Sequence, residues 1–148
     1  QRIEAAWDPG GLALGVQVFA AAELQEDRRY LLGLLNSKLL SFLFRGRFRA
    51  KQLAGGFLAM NKSQLDQLPI RIVPAEDRES AQVRQQLVRC VQQLERLTNE
   101  AADTAAVTGK VRGRILALER QIDACVYRLY RLEAEEIHEV EAGVDAAP

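Results

Sequence analysis

The chain has 148 residues, 48% of them hydrophobic and 27% charged, with 20 basic side chains balancing 20 acidic ones. That is the make-up of an ordinary globular protein long enough to bury a real core. Two cysteines and a single histidine, His138, exclude a disulfide framework, a histidine-built metal site and a Ser-His-Asp triad.

No basic-then-apolar leader is visible, and no apolar run reaches the roughly 20 residues that a bilayer needs. The expectation is a cytoplasmic protein with no membrane partner. The start at Gln1 rather than Met points to a fragment of a longer chain. Residues 1–13 read as irregular, around the turn Asp8-Pro9-Gly10-Gly11. "GVQVFA" (Gly15–Ala20) alternates and is rich in valine, which predicts a strand. Asp27 is placed to cap the helix that follows. In "YLLGLLNSKLLSFLF" (Tyr30–Phe44), Leu31, Leu32, Leu35, Leu39, Phe42 and Leu43 recur at helical spacing, predicting one helix to about Arg45. Gly33, Ser37 and Ser41 form a stripe of small residues suited to close packing. Asn36 is expected to bond a neighbouring loop backbone, and Trp7 and Tyr30 to pack. Residues 46–62 read as a loop containing Gly55 and Gly56, with a short strand near Phe57–Met60. Ser63 with Asp66 signals a short helix, Pro69 ends it, and "IRIV" (Ile70–Val73) reads as a second strand stopped by Pro74.

The second half changes character. Val83, Leu87, Cys90, Leu94, Leu97 and Ala101 follow a heptad seam, and so do Val111, Ile115, Leu118, Ile122, Cys125, Leu129 and Leu132. Gly109 is a reasonable break between them. Two helices of about 25 residues, each about 37 Å long, are expected to form an antiparallel hairpin. Both cysteines fall on seam positions and read as core. The expected fold is α+β: a small mixed α/β region over residues 1–74, a helical hairpin arm over 75–141 and a disordered tail over 142–148. His138 is expected to be exposed.

Charge is unevenly spread. Residues 1–74 hold ten basic and six acidic side chains, a net +4, and the remainder carries −4. From Arg28 to Leu65 there are eight basic residues and no acidic one: Arg28, Arg29, Lys38, Arg45, Arg47, Arg49, Lys51 and Lys62. A field of one sign attracts polyanions, phosphate above all. A solvated basic loop is the alternative.

Three segments carry a resemblance: "LLNSK" at Leu34–Lys38, "LDQLPI" at Leu65–Ile70, and "IDACVYRLYRLEAEEI" at Ile122–Ile137. In their order and spacing the chain, from about Gly15 to Glu141, resembles the C-terminal target-recognition domain of adenine-specific DNA methyltransferases. The nearest group is the TaqI-like specificity domain of restriction-modification enzymes, with type I specificity subunits more distant. Two positions depart from the pattern. Arg131 stands where the family often has Gly, and Glu133 where it often has Thr, so the usual helix stop and cap are missing.

The resemblance implies binding of double-stranded DNA. It also implies a catalytic domain on the same polypeptide and S-adenosylmethionine as the parent protein's cofactor, with none in this fragment. Arg45, Arg47, Arg49 and Lys51 would contact phosphates or guanine edges, assisted by Arg28, Arg29, Lys38 and Lys62. Catalysis is not expected here. The four prolines are never adjacent, so the Pro-Pro loop with which amino-methylases hold a flipped base is absent. Nor does the basic region offer the acidic cluster of a metal-dependent nuclease. The competing expectation is a helical assembly domain that forms a homo-oligomer through its heptads, with the basic loop left in solvent.

Overall fold

The structure, a computed structural model, describes residues 2–11, 15, 18–48, 61–103 and 109–145. Among these residues it contains six helices and no strand. They are α1 (Arg28–Leu35), α2 (Lys38–Phe48), α3 (Lys62–Leu65), α4 (Arg78–Asp103), α5 (Gly109–Tyr130) and α6 (Ala134–Asp145).

The α+β expectation is therefore corrected: the fold is helical. Val18 to Ala20 are irregular and exposed, and the strand expected near Phe57–Met60 lies outside the described residues. The failure at Ile70–Val73 has a physical cause. Tyr30 donates its hydroxyl to the Arg71 carbonyl at 2.7 Å, and the Arg71 N–H donates to the Tyr130 hydroxyl at 3.1 Å. Two side chains thus satisfy the backbone groups that a neighbouring strand would have taken.

The leucine-rich helix is also two helices. Asp27 caps α1, accepting from the Arg29 and Tyr30 N–H groups, as the sequence indicates. The helix stops at Asn36, and Ser37 caps α2. The Ser37 hydroxyl donates to the Leu34 carbonyl at 2.6 Å and accepts from the Leu40 N–H at 3.2 Å. Short polar side chains that bond the local backbone in this way favour caps over helix interiors. α2 then runs to Phe48, into the expected loop. The cap of α3 is Asn61, paired reciprocally with Gln64, and not Ser63.

α4 and α5 lie side by side and antiparallel. Cys90 Sγ meets Gln121 Oε1 at 3.5 Å, and Leu97 shares a surface with Leu118. Every seam position is buried or half-buried within the one chain. α1 packs on α4 and α6 on α2, so a single apolar cluster runs from Ile3 through the hairpin to Val140. Gly33 permits the α1–α4 contact: a Cβ there would lie 2.9 Å from Leu87 Cδ1 and 3.1 Å from Val91 Cγ2.

The missing glycine stop does not prevent a break. Arg131 itself takes φ 57°, the left-handed conformation that glycine usually supplies. The Leu132 N–H donates to the Tyr127 carbonyl and the Arg131 N–H to the Arg128 carbonyl, closing a Schellman motif. Glu133 N–H donates to Glu136 Oε2 at 2.8 Å, half of a capping box for α6. Residues 142–145, expected in the tail, are the last turn of α6, with Val144 buried.

Candidate nucleic-acid interface

The six of the eight basic residues that the structure describes are not brought together. The fold sorts them. Arg28 and Arg29 share Glu95 of α4, with N–O distances of 3.0 and 2.7 Å, and the Arg28 guanidinium lies 4.7 Å from the centre of the Trp7 ring. Both arginines thus fasten α1 to the hairpin. Lys62 pairs with Asp66 one turn along, at 2.7 Å, in solvent. Lys38 sits at the start of α2, where its backbone N–H donates to Asp123. Arg45 reaches the Gly143 carbonyl in the last turn of α6. Such carbonyls lack helical partners and attract cations.

Arg47 has a different setting. It is exposed on the last turn of α2, flanked by residues that fix that turn. Phe48 is buried and packs on Phe44, with ring centroids 5.1 Å apart. Beside them is a small apolar cavity of about 250 Å³, lined by Phe42, Arg47, Phe48, Leu68 and Pro69 among others. Arg49 and Lys51 follow directly in the sequence and lie outside the described residues.

The sequence reading missed Asp123 and Tyr130, which hold this end of the molecule together. Asp123 Oδ1 accepts the Lys38 N–H at 2.8 Å, although the residue is only 7% exposed. Burial raises its pKa, opposed by that hydrogen bond and by Arg2 and Lys38, while Glu141 adds to the rise. Tyr130 donates to the Pro69 carbonyl and accepts from Arg71. The available signal was a second stripe on α5: Asp123, Tyr127 and Tyr130 share a face at helical spacing, distinct from the heptad seam.

The remaining shifted groups favour their neutral forms. Burial pushes Tyr30 up to about 12, aided by Tyr130, and pushes Cys125 up to about 11, aided by Cys90. Asp77 is the exception. It caps α4, and bonds from the Ser80 backbone and hydroxyl hold its pKa below the ordinary carboxylate value. Among the described residues, no group of three or more His, Cys, Asp or Glu side chains is placed to hold a metal ion. No helix there is long and apolar enough to cross a membrane. No protein family, curated protein or solved structure matches the chain.

Proposed function

We propose that the chain is a DNA target-recognition element of a restriction-modification adenine methyltransferase, and that it meets double-stranded DNA from the last turn of α2 onward. One observation carries this reading: the fold leaves Arg47 exposed, at the head of Arg47-Phe48-Arg49-Ala50-Lys51, while tying Arg28 and Arg29 to an acidic partner. The contact set expected from the sequence contracts to Arg47, Arg49 and Lys51. The structural use of the three resembling segments supports the same reading. Lys38 of the first bonds Asp123 of the third, and Tyr130 of the third bonds Pro69 of the second. On this proposal the methyl transfer and S-adenosylmethionine belong to a catalytic domain elsewhere on the polypeptide.

The test is titration of duplex DNA across salt concentrations. Three neutralised phosphates give a log–log slope of about −2.7, and R47A/R49A/K51A abolishes that share. R28A/R29A leaves the slope almost unchanged and lowers Tm. A triple variant that keeps the full slope overturns the assignment. The alternative of an intermolecular coiled coil has less in its favour, because both heptad seams face each other within one chain. Sedimentation at high concentration distinguishes the two.

A further inference from the structure

The N-terminal residues lie across the helices without helical or sheet structure. They alternate. Ile3 is buried in the core cluster, Ala5 is half-buried and Trp7 stacks against Arg28, while Glu4 and Ala6 face solvent. Facing residues at every second position are the signature of an extended chain. The helices hold this chain at three points. At the first, the Ile3 N–H donates to Ser41 Oγ at 3.1 Å, beside the hole that its side chain fills. At the second, Asn36 clamps the backbone of Ala5: Oδ1 accepts the Ala5 N–H and Nδ2 donates to the Ala5 carbonyl, both at 2.9 Å. At the third, the Arg28 guanidinium covers the Trp7 ring at 4.7 Å.

The clamp is also tied to the helices that carry it. Asn36 terminates α1, and its Nδ2 also donates to the Leu32 carbonyl at 3.0 Å, which fixes the amide plane. Glu95 holds Arg28 from the other side. An amide that bonds both backbone groups of one residue reads backbone, and the flanking pockets read side chains. This is the division of labour in peptide grooves.

We infer that this groove is a docking site for an extended peptide of the pattern aliphatic–x–small–x–aromatic, and that the chain's own Ile3–Trp7 occupies it in cis as an exchangeable strap. The seating is uneven, with Ile3 buried and the Trp7 end open. Trp7 stays 49% exposed, and a groove of about 820 Å³ remains between the strap and the helices. The strap ends at a turn in which Gly10 and Gly11 take φ +117° and +114°, with open space around both. A competing segment with the same alternation has the same three contacts to gain.

The experiment cuts the full chain at that turn. A protease site is inserted between Gly10 and Gly11, the purified protein is cleaved, and a fluorescent peptide of sequence Arg2–Asp8 is added. The cleaved segment co-elutes with the body and then exchanges with the labelled peptide. A competitor carrying Ile3→Asp or Trp7→Ala displaces the label at least about tenfold less well, and Asn36→Ala in the body weakens labelled-peptide binding by about tenfold. The inference is overturned if the label never exchanges, or if the Ile3→Asp peptide competes equally. Loss of the helical circular-dichroism signal when the cut segment leaves also overturns it, since the segment is then core and not ligand.

Discussion

Replacing Asp123 by Asn and, separately, by Ala asks whether α5 holds the start of α2 through a hydrogen bond or through packing alone. Asp123 Oδ1 accepts the Lys38 N–H at 2.8 Å, and the residue is 7% exposed. Asn keeps an acceptor at that place and Ala removes it. The Ala variant strands a largely dehydrated N–H, a loss of about 1–3 kcal/mol, or about 2–10 °C in Tm for a chain of this size. The Asn variant stays within about 1 kcal/mol of the parent at neutral pH. It gives up a charge-assisted bond but also sheds the burial of a charge.

The pH dependence has a definite sign. Burial raises the folded pKa of Asp123 above its ordinary 3.8. Between these values the folded chain binds more protons than the unfolded chain, so stability falls as pH rises. The parent therefore gains on the Asn variant as pH drops from neutral, and the gain levels off below 3.8. Urea unfolding of all three proteins at neutral pH and at about pH 4.5 measures both effects. An Ala variant as stable as the parent, or a parent–Asn difference that does not move with pH, refutes the reasoning.

Arg131→Gly relieves a left-handed residue at the end of α5 and raises stability by about 0.5–1 kcal/mol, net of the entropy that glycine adds to the unfolded chain. The Arg131–Asp77 contact it removes is 3.6 Å long, with Arg131 75% exposed, and offers little resistance. A thermal scan decides this, and a lower Tm places the worth of the ion pair above the strain. Tyr130→Phe deletes both the donor to Pro69 and the acceptor for Arg71, and is expected to cost about 1–3 kcal/mol in urea. In alkali, Tyr30 stays protonated up to about 12 while folded. The unfolded phenol ionises near its ordinary 10.0, so stability falls with rising pH across that interval. Phenolate absorbance from Tyr30 then appears together with unfolding, and its appearance in a still-folded chain contradicts the burial argument.

The parts of this fold that the sequence discloses are those governed by repetition or by adjacent residues. Leu87, Cys90, Leu118 and Ile122 recur at heptad spacing and are buried, and Asp27 caps the residues next to it. The parts it conceals depend on single distant bonds that overrule a local pattern. Ile70–Val73 has strand-like composition, yet tyrosines 41 and 59 residues from Arg71 take its hydrogen bonds. "LLNSKLL" has helical periodicity, yet it breaks where Asn36 binds a backbone 31 residues away and Asp123 meets Lys38 across 85. Charge counting fails for the same reason. The acid-free run from Arg28 to Leu65 looks uniformly basic until Glu95, 66 and 67 residues on, folds against its first two arginines.

This contrast bears on what the three resembling segments are for. Lys38, Pro69, Asp123 and Tyr130 all belong to them and bond in two pairs across the fold, Lys38 with Asp123 and Tyr130 with Pro69. A likeness carried by such residues follows the scaffold that fixes α2, because replacing Asp123 or Tyr130 strands a backbone group of another segment. Arg47, exposed on the last turn of α2, lies outside these segments. On the proposed function, sequence readout belongs there. A change of DNA target then requires substitution only from the last turn of α2 onward, and substitution within the three segments alters stability before it alters specificity.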